Sequence, residues 1–194
     1  MFILASSSPT RQALLRNAGL TFTSVTPDLE ETVLHAKYVG LPPNRLALML
    51  AAEKSKTVSA VYKDQLIVGA DQILHLDQRT FHKPKTVDEA RTMLQILCGK
   101  THYLTTAVSC HVNQNQIWHY QDQTIMTMRK FSDAFLENYL LRNVSNTLAS
   151  AGAYQLEAEG IQIFEKIEGD YFTILGFPLL AFLNFLRNRK LLES

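Results

Sequence analysis

The first fifteen residues constrain the fold more than any other part of this 194-residue chain. A short apolar run, Phe2 to Ala5, predicts a buried strand, and it stops at three consecutive serines. Pro9 then stands where the first turn of a helix accepts proline, and Arg11 follows in the same turn. The segment therefore predicts a strand, a hydroxyl-rich turn and a helix in series.

This turn has two interpretations. Unpaired backbone N–H groups and the helix dipole attract anions to a helix N-terminus, and an added arginine favours a phosphate group. The alternative is a plain serine-capped helix with a solvated arginine, because Ser-Pro begins many helices. Taken by itself, the local chemistry favours the plain capped helix.

Composition narrows the class of protein. The formal net charge is +1, whereas proteins that coat nucleic acid carry a marked basic excess, so we expect no nucleic-acid partner. The two cysteines lack metal-ligand spacing and favour a reducing compartment. The N-terminus is not typical of a signal peptide, and no apolar stretch is long enough to span a membrane. We therefore expect a cytoplasmic protein with no membrane partner.

Strand and helix patterns alternate at first, and a hairpin signal follows later in the chain. This order predicts an α/β fold with a mixed, elongated sheet flanked by helices, built as one domain over residues 1–194 with two lobes around a central cleft. The predicted strands cover residues 2–5, 21–25, 65–76, 102–112, 117–129 and 161–167. The predicted helices cover residues 9–18, 44–61, 87–97, 132–141 and 177–189, with an acidic loop at 27–31 and a turn at 170–176.

Three charged residues stand out by their surroundings. Asp71 lies inside an apolar predicted strand, where a carboxylate is costly unless it is paired or faces a cleft. It is therefore either a buried, hydrogen-bonded residue or a catalytic one. Lys54 interrupts the apolar row of its predicted helix, and Lys83 is held in place by Pro84. For both lysines the alternative is an ordinary solvated surface charge.

Seven short motifs follow one another along the chain. They are L-A-S-x-S-P-x-R-x-x-L-L at 4–15, E-K at 53–54, G-A-D at 69–71, K-P at 83–84, A-x-x-M-L with G-x-T-H at 90–102, A-G-A-Y at 151–154, and I-E-G-D-Y through G-F-P-L at 167–179. In this order they resemble the Maf family of nucleoside triphosphate pyrophosphatases. The resemblance extends from residue 2 to residue 186, and it implies a Maf/ITPase-like fold.

The resemblance also implies an activity and a set of roles. Maf proteins hydrolyse the bond between the α- and β-phosphates of a nucleotide, with a divalent cation, Mg²⁺ or Mn²⁺. By position, Asp71 matches the family's proton acceptor. Glu31 matches an acidic position and is the candidate metal ligand, unless it is an exposed loop carboxylate. A homodimer is implied in the same way. The matched phosphate-binding positions are Ser6, Arg11, Lys54 and Lys83.

Three positions depart together from the family members that prefer dTTP and UTP. Those members carry arginine, threonine and glutamine where this chain has Thr10, Gln72 and Glu157. The 7-methyl-GTP-type subfamily has the same glutamine and glutamate as this chain at the last two positions, and it also lacks the arginine at the first. A carboxylate at Glu157 can accept hydrogen bonds from the N1–H and amine of guanine, and it repels the carbonyl-rich edge of uracil or thymine. Thr10 stands where that subfamily has a bulky aromatic residue, so base stacking is weaker or comes from elsewhere; Tyr154 is either a substitute or a core residue.

The residues and the resemblance together favour a phosphate site at Ser6 to Arg11 and an enzyme that acts on a modified purine nucleotide, with 7-methyl-GTP as the expected substrate. Such an enzyme would remove non-standard nucleotides before they enter nucleic acid. Two alternatives stay open: a dTTP/UTP pyrophosphatase of the same family, and a non-catalytic nucleotide-binding regulator of cell division or septum formation.

Overall fold

The structure is a computed structural model that describes residues 1–193, with the side chain of Glu31 outside the description. Its strands are β1 (Phe2–Ala5), β2 (Phe22–Ser24), β3 (Ile67–Leu76), β4 (Arg79–Phe81), β5 (Thr101–Val112), β6 (Asn115–Met128) and β7 (Phe164–Glu168). Its α-helices are α1 (Pro9–Asn17), α2 (Glu31–Lys37), α3 (Pro43–Val61), α4 (Val87–Leu97), α5 (Asp133–Arg142), α6 (Val144–Ala149), α7 (Tyr171–Ile174) and α8 (Leu179–Asn188), and a 3-10 helix covers Glu159–Ile163.

The strands form one mixed sheet. The seven strands are ordered β2-β1-β3-β5-β6-β7, and β4 pairs with β3. Strand β1 is parallel to both of its neighbours, β2 and β3, whereas β4 and β7 pair with their partners in the antiparallel direction. Parallel neighbours need a crossover, which α1 supplies between β1 and β2. The predicted mixed α/β class with a helix-flanked sheet is confirmed.

The chain divides into two compact units. The first contains residues 1–72, 105–122 and those from Asp170 onward, and the second contains residues 73–104 and 123–169. In the first unit β1 is buried on both faces. Phe2 and Leu4 join a core cluster with residues of α1 and α8, while Ile3 and Ala5 pack with Val58 of α3. Burial on both faces explains why β1 is a continuous apolar run and not an alternating one.

Gly69 allows α3 to lie unusually close to β3. A Cβ atom on Gly69 would stand 2.3 Å from the carbonyl oxygen of Ala51 and 2.7 Å from the backbone nitrogen of Ser55. Both atoms belong to the helix backbone, so they cannot move aside as a flexible side chain could. This close approach holds Lys54, the neighbour of Ser55, within reach of the strand that carries Asp71.

Gly69→Ala should therefore lower the free energy of unfolding by about 1–3 kcal/mol, because an added methyl group pushes α3 away from β3. For a chain of this size each kcal/mol corresponds to a fall of about 2–4 °C in Tm. Thermal unfolding followed by circular dichroism measures the change. Ala60→Ser on the exposed side of α3 is the control, and a Tm equal to that of the control would show that the contact is not tight.

The second unit has a buried polar pair in its core. His102 is fully buried, and its Nε2 lies 2.9 Å from the hydroxyl of Tyr154. Burial lowers the pKa of His102 to about 4 and raises the pKa of Tyr154, so both side chains are neutral near pH 7. The Tyr154 ring also packs edge-on against Phe164. Tyr154 is therefore a core residue, and the idea that it stacks on a base is wrong.

Several short elements differ from the sequence predictions. The helices α2, α6 and α7 and the strand β4 were not predicted, and residues 161–163 belong to the 3-10 helix and not to a strand. Helices of four to seven residues are unstable in isolation and depend on tertiary contacts that a local pattern does not contain. In α2, for example, the Lys37 ammonium and the adjacent Tyr38 hydroxyl both donate to Glu53 of α3, and these bonds lower the pKa of Glu53.

Across the part of the chain that the structure describes, no helix is both long enough and apolar enough to cross a bilayer.

Candidate active site

The candidate site in the first unit begins where β1 ends. Ala5, the last residue of β1, lies opposite Gly69 in the parallel pairing of β1 with β3. Ser6 comes directly after Ala5, and Asp71 lies two residues beyond Gly69 on the neighbouring strand. Ser6 and Asp71 are both buried, with 5% and 8% of their surface exposed. In α/β sheets ligands bind at the carboxyl ends of parallel strands. Ser6 follows the carboxyl end of β1, and Asp71 lies just beyond the part of β3 that pairs with β1.

The serine turn is organised by its own hydroxyl groups. Ser8 is the N-cap of α1, because its Oγ accepts a hydrogen bond from the Arg11 backbone N–H at 3.4 Å. The Ser6 Oγ accepts a bond from the Ser8 N–H at 3.2 Å, and the Ser24 hydroxyl donates to the Ser6 carbonyl at 2.6 Å. The capped helix predicted from Ser-Pro is therefore confirmed, and it leaves the N-terminus of α1 in a fixed position beside Ser6.

Arg11 is held by the protein. Its Nε donates to the carbonyl of Gly176 at 2.8 Å, and its Nη1 donates to the Ser6 Oγ at 3.4 Å. Gly176 has φ +91°, and a Cβ atom there would lie 3.5 Å from the Arg11 Nε, so the backbone approaches the guanidinium closely. The alternative of a fully solvated arginine is wrong. A guanidinium held in one orientation suits a planar, two-point contact with phosphate oxygens.

Lys54 and Asp71 form an ion pair. The Lys54 Nζ lies 2.6 Å from the Asp71 Oδ1, and each side chain is only 12% exposed. The ion pair excludes the interpretation of Lys54 as an ordinary solvated surface charge. It agrees with the interpretation of Asp71 as a buried, hydrogen-bonded residue, and the catalytic interpretation stays open. A charge-assisted bond of this kind compensates the cost of burying a carboxylate. A carboxylate held in one orientation is suited to act as a general base.

Gln72 is the next residue of β3 and is bonded through its amide nitrogen. Its Nε2 donates to the Thr106 hydroxyl at 2.8 Å and lies 3.0 and 3.1 Å from the carbonyl oxygens of Thr173 and Ile174. The C-terminal end of α7 thus contacts Gln72, while Gly176, just beyond it, contacts Arg11. Sequence reasoning missed this role of residues 173–176 and of Thr106. The available signal was Gly176 directly before Phe177-Pro178.

The positions of the other predicted site residues neither support nor exclude a role in binding. Thr10 is partly exposed in the first turn of α1, and Glu31 begins α2, with its side chain outside the described residues. Lys83 and Glu157 belong to the second unit, and both are exposed. Lys83 lines a cavity of about 430 Å³ in that unit, together with Arg79 and others. Their roles in binding stay predictions.

Possible metal ligands in the described residues are sparse. Within that part of the chain no group of three or more His, Cys, Asp or Glu side chains could hold a metal ion. Asp71 is a carboxylate, the type of oxygen ligand that Mg²⁺ and Mn²⁺ prefer. Mg²⁺ commonly binds through one or two carboxylates plus substrate phosphates and water. The donor set therefore fits a cation that is completed by the phosphates of a nucleotide.

A fixed helix N-terminus, an oriented arginine and a buried lysine–carboxylate pair are typical of α/β enzymes that act on phosphate groups. The chain matches the family profile described as Maf-like protein over residues 1–189, and it belongs to that family.

The relatives of the chain are similar over their whole length. The chain is 43% identical over 196 aligned positions to a 7-methyl-GTP pyrophosphatase of Rhizobium meliloti, covering 100% of this chain and 98% of the relative. It is 42% identical to a 7-methyl-GTP pyrophosphatase of Brucella abortus, covering 99% and 98%. It is 43% identical to a nucleoside triphosphate pyrophosphatase of Rhodospirillum rubrum, covering 99% and 96%.

Proposed function

We propose that this protein is a nucleoside triphosphate pyrophosphatase that hydrolyses the α–β phosphoanhydride bond of 7-methyl-GTP, releasing 7-methyl-GMP and pyrophosphate. The observation that carries the proposal is the buried ion pair between Lys54 of α3 and Asp71 of β3, because β3 lies next to the strand that leads into the Ser6–Arg11 turn. The names of the relatives support the reaction and the substrate.

In this proposal Asp71 accepts a proton from the attacking water while the oxygen of that water forms a bond to the α-phosphorus. The bond from that phosphorus to the bridging oxygen breaks, and the electron pair leaves with pyrophosphate. Lys54 orients the Asp71 carboxylate through their 2.6 Å ion pair, and it is also a proposed phosphate-binding residue. Ser6 and Arg11 bind phosphate oxygens, the guanidinium of Arg11 neutralises part of their charge, and Lys83 is the proposed further phosphate-binding residue. Catalysis of this kind is mostly positioning and charge neutralisation.

A divalent cation, Mg²⁺ or Mn²⁺, would supply charge neutralisation at the phosphate oxygens and a lower pKa for the attacking water. Glu31 is the residue we propose to hold it, together with Asp71, whose carboxylate is the type of ligand that the cation prefers. We also keep as proposals that residues 1–194 form one catalytic domain, that the protein works in the cytoplasm and that it is a homodimer.

Measuring pyrophosphate release from 7-methyl-GTP, GTP, dTTP and UTP with Mn²⁺ or Mg²⁺ tests the proposal. We expect the highest kcat/KM with 7-methyl-GTP. A preference for dTTP or UTP would instead support a pyrimidine enzyme of the same family. Nucleotide binding without turnover would support the non-catalytic regulator of cell division.

For base selectivity we propose that Glu157 accepts hydrogen bonds from the guanine edge, with Thr10 and Gln72 as the other two selective positions. Glu157→Gln should lower kcat/KM for 7-methyl-GTP by about 10- to 100-fold, since a good two-point base contact is worth about 1–3 kcal/mol. The value for UTP should not fall, because a carboxylate repels its carbonyl groups.

The matched control is Glu165→Gln, which changes another exposed glutamate of the same unit, on β7. Both variants are assayed with 7-methyl-GTP and UTP under the same conditions. Equal losses on the two substrates in Glu157→Gln would contradict a role in reading the base.

A further inference from the structure

The amide group of Gln72 is fixed in one of its two flipped orientations. Its nitrogen lies within 3.1 Å of the carbonyl oxygens of Thr173 and Ile174, and a carbonyl oxygen can only accept a hydrogen bond. The nitrogen must therefore face α7. If the amide flipped, its own oxygen would stand against two other acceptors, which is repulsive.

Thr106 strengthens this preference. Its side chain is fully buried, and its hydroxyl donates to the Thr173 carbonyl at 2.9 Å. A hydroxyl has one proton, so once that proton is used the oxygen can only accept. It accepts from the Gln72 Nε2 at 2.8 Å. The Thr106 oxygen is thus a third acceptor on the same side of the amide. The amide nitrogen of Gln72 can donate to it, whereas the amide oxygen would be repelled by it.

The acceptors themselves are held firmly. Thr173 is fully buried, and its backbone N–H and hydroxyl both donate to the Asp170 carboxylate that caps α7. Its hydroxyl is also 3.2 Å from the Asp122 carboxylate. The Thr173 carbonyl therefore cannot turn away to accommodate a flipped Gln72.

The amide oxygen of Gln72 is left to interact with something else. It accepts no hydrogen bond from any residue that the structure describes, and Gln72 itself is partly exposed beside Asp71. We propose that Thr106 and the end of α7 lock Gln72 as a hydrogen-bond acceptor toward the substrate, which makes Thr106 a positioning residue for base selectivity. The inference rests on the proposed function and deepens it: the locked acceptor favours a base that presents N–H donors, such as guanine, over the carbonyl-rich edges of uracil and thymine.

The variants Thr106→Val and Thr106→Ser separate this role from packing. Valine has nearly the shape of threonine but no hydroxyl, whereas serine keeps the hydroxyl and loses the methyl group. The readout is the ratio of Kd values for UMP and 7-methyl-GMP, measured by calorimetry on the purified protein, together with the ratio of kcat/KM values for 7-methyl-GTP and UTP. Thr106→Val should lower both ratios by about 5- to 20-fold, while Thr106→Ser should stay within about twofold of wild type.

Thr101→Val is the control, because Thr101 lies on the same strand but its hydroxyl pairs with Thr127. If Thr106→Val does not fold, Gln72→Met tests the acceptor that the lock presents: the thioether has nearly the length of the glutamine side chain but no amide oxygen, and we expect the same loss of selectivity. Wild-type ratios in a folded Thr106→Val or Gln72→Met protein would overturn the inference alone. A wild-type protein that neither binds 7-methyl-GMP nor hydrolyses 7-methyl-GTP would instead overturn the proposed function.

Discussion

Asp71→Asn should lower kcat by about 10²- to 10⁴-fold, the usual contribution of a general base. Asparagine has the same shape as aspartate but does not accept a proton from water at neutral pH. The affinity for nucleotide should change by only a few-fold, because in the proposed mechanism Asp71 acts on the water while Ser6 and Arg11 bind the phosphates. Single-turnover rates, compared with equilibrium binding of 7-methyl-GTP to the variant, separate the two effects.

Asp133→Asn is a suitable control, since Asp133 is an exposed carboxylate in the first turn of α5 and Ser132 supplies the cap of that helix. It should keep the wild-type kcat. A kcat for Asp71→Asn within a few-fold of wild type would show that Asp71 is not the base, and the ion pair with Lys54 would then be structural.

The main elements of the fold could be predicted because their signals are local. The apolar run of β1, the serine cap of α1 and the long apolar pattern of β3 are all visible in the sequence. The helix α2 was not visible, because what stabilises it is the contact of Lys37 and Tyr38 with Glu53, sixteen and fifteen residues away. Residues 161–163 look apolar enough for a strand, but Arg129 binds the carbonyls of Gln162 and Ile163 in a 3-10 turn.

The sequence could single out candidate residues for the site but not the contacts between them, and the roles of these residues stay predictions. Lys54 and Asp71 were each expected from their unusual apolar surroundings, yet neither pattern showed that they bind each other across seventeen positions. The same is true of Arg11 and Gly176, which are 165 positions apart. Gln72 was selected as a position that differs between subfamilies, and only the structure shows that its nitrogen is already used by Thr106 and α7. Long-range hydrogen bonds of this kind have no local sequence signal.

Lys54→Met should reduce both activity and stability, because it leaves the Asp71 carboxylate buried without its cation. Removing one partner of a buried pair costs about 3–5 kcal/mol, and the 12% exposure of these side chains places the expected loss near the lower end, about 3 kcal/mol. We expect kcat/KM to fall by about 10²- to 10³-fold, since a positioned charge at the reacting phosphate is also lost. Urea unfolding and the pyrophosphate assay measure the two effects.

The double variant Lys54→Met/Asp71→Asn distinguishes an unpaired charge from lost packing. If the loss of stability comes from the unpaired carboxylate, the neutral asparagine removes that loss. The free energy of unfolding of the double variant should then lie within about 1 kcal/mol of the value for Asp71→Asn alone. Lys56→Met, at an exposed position two residues along α3, should leave both activity and stability close to wild type. Strictly additive losses in the double variant would contradict a direct coupling between Lys54 and Asp71. Since the Lys54 Nζ and the Asp71 Oδ1 stand 2.6 Å apart on neighbouring elements, we expect strong coupling, and with it a base whose orientation depends on Lys54.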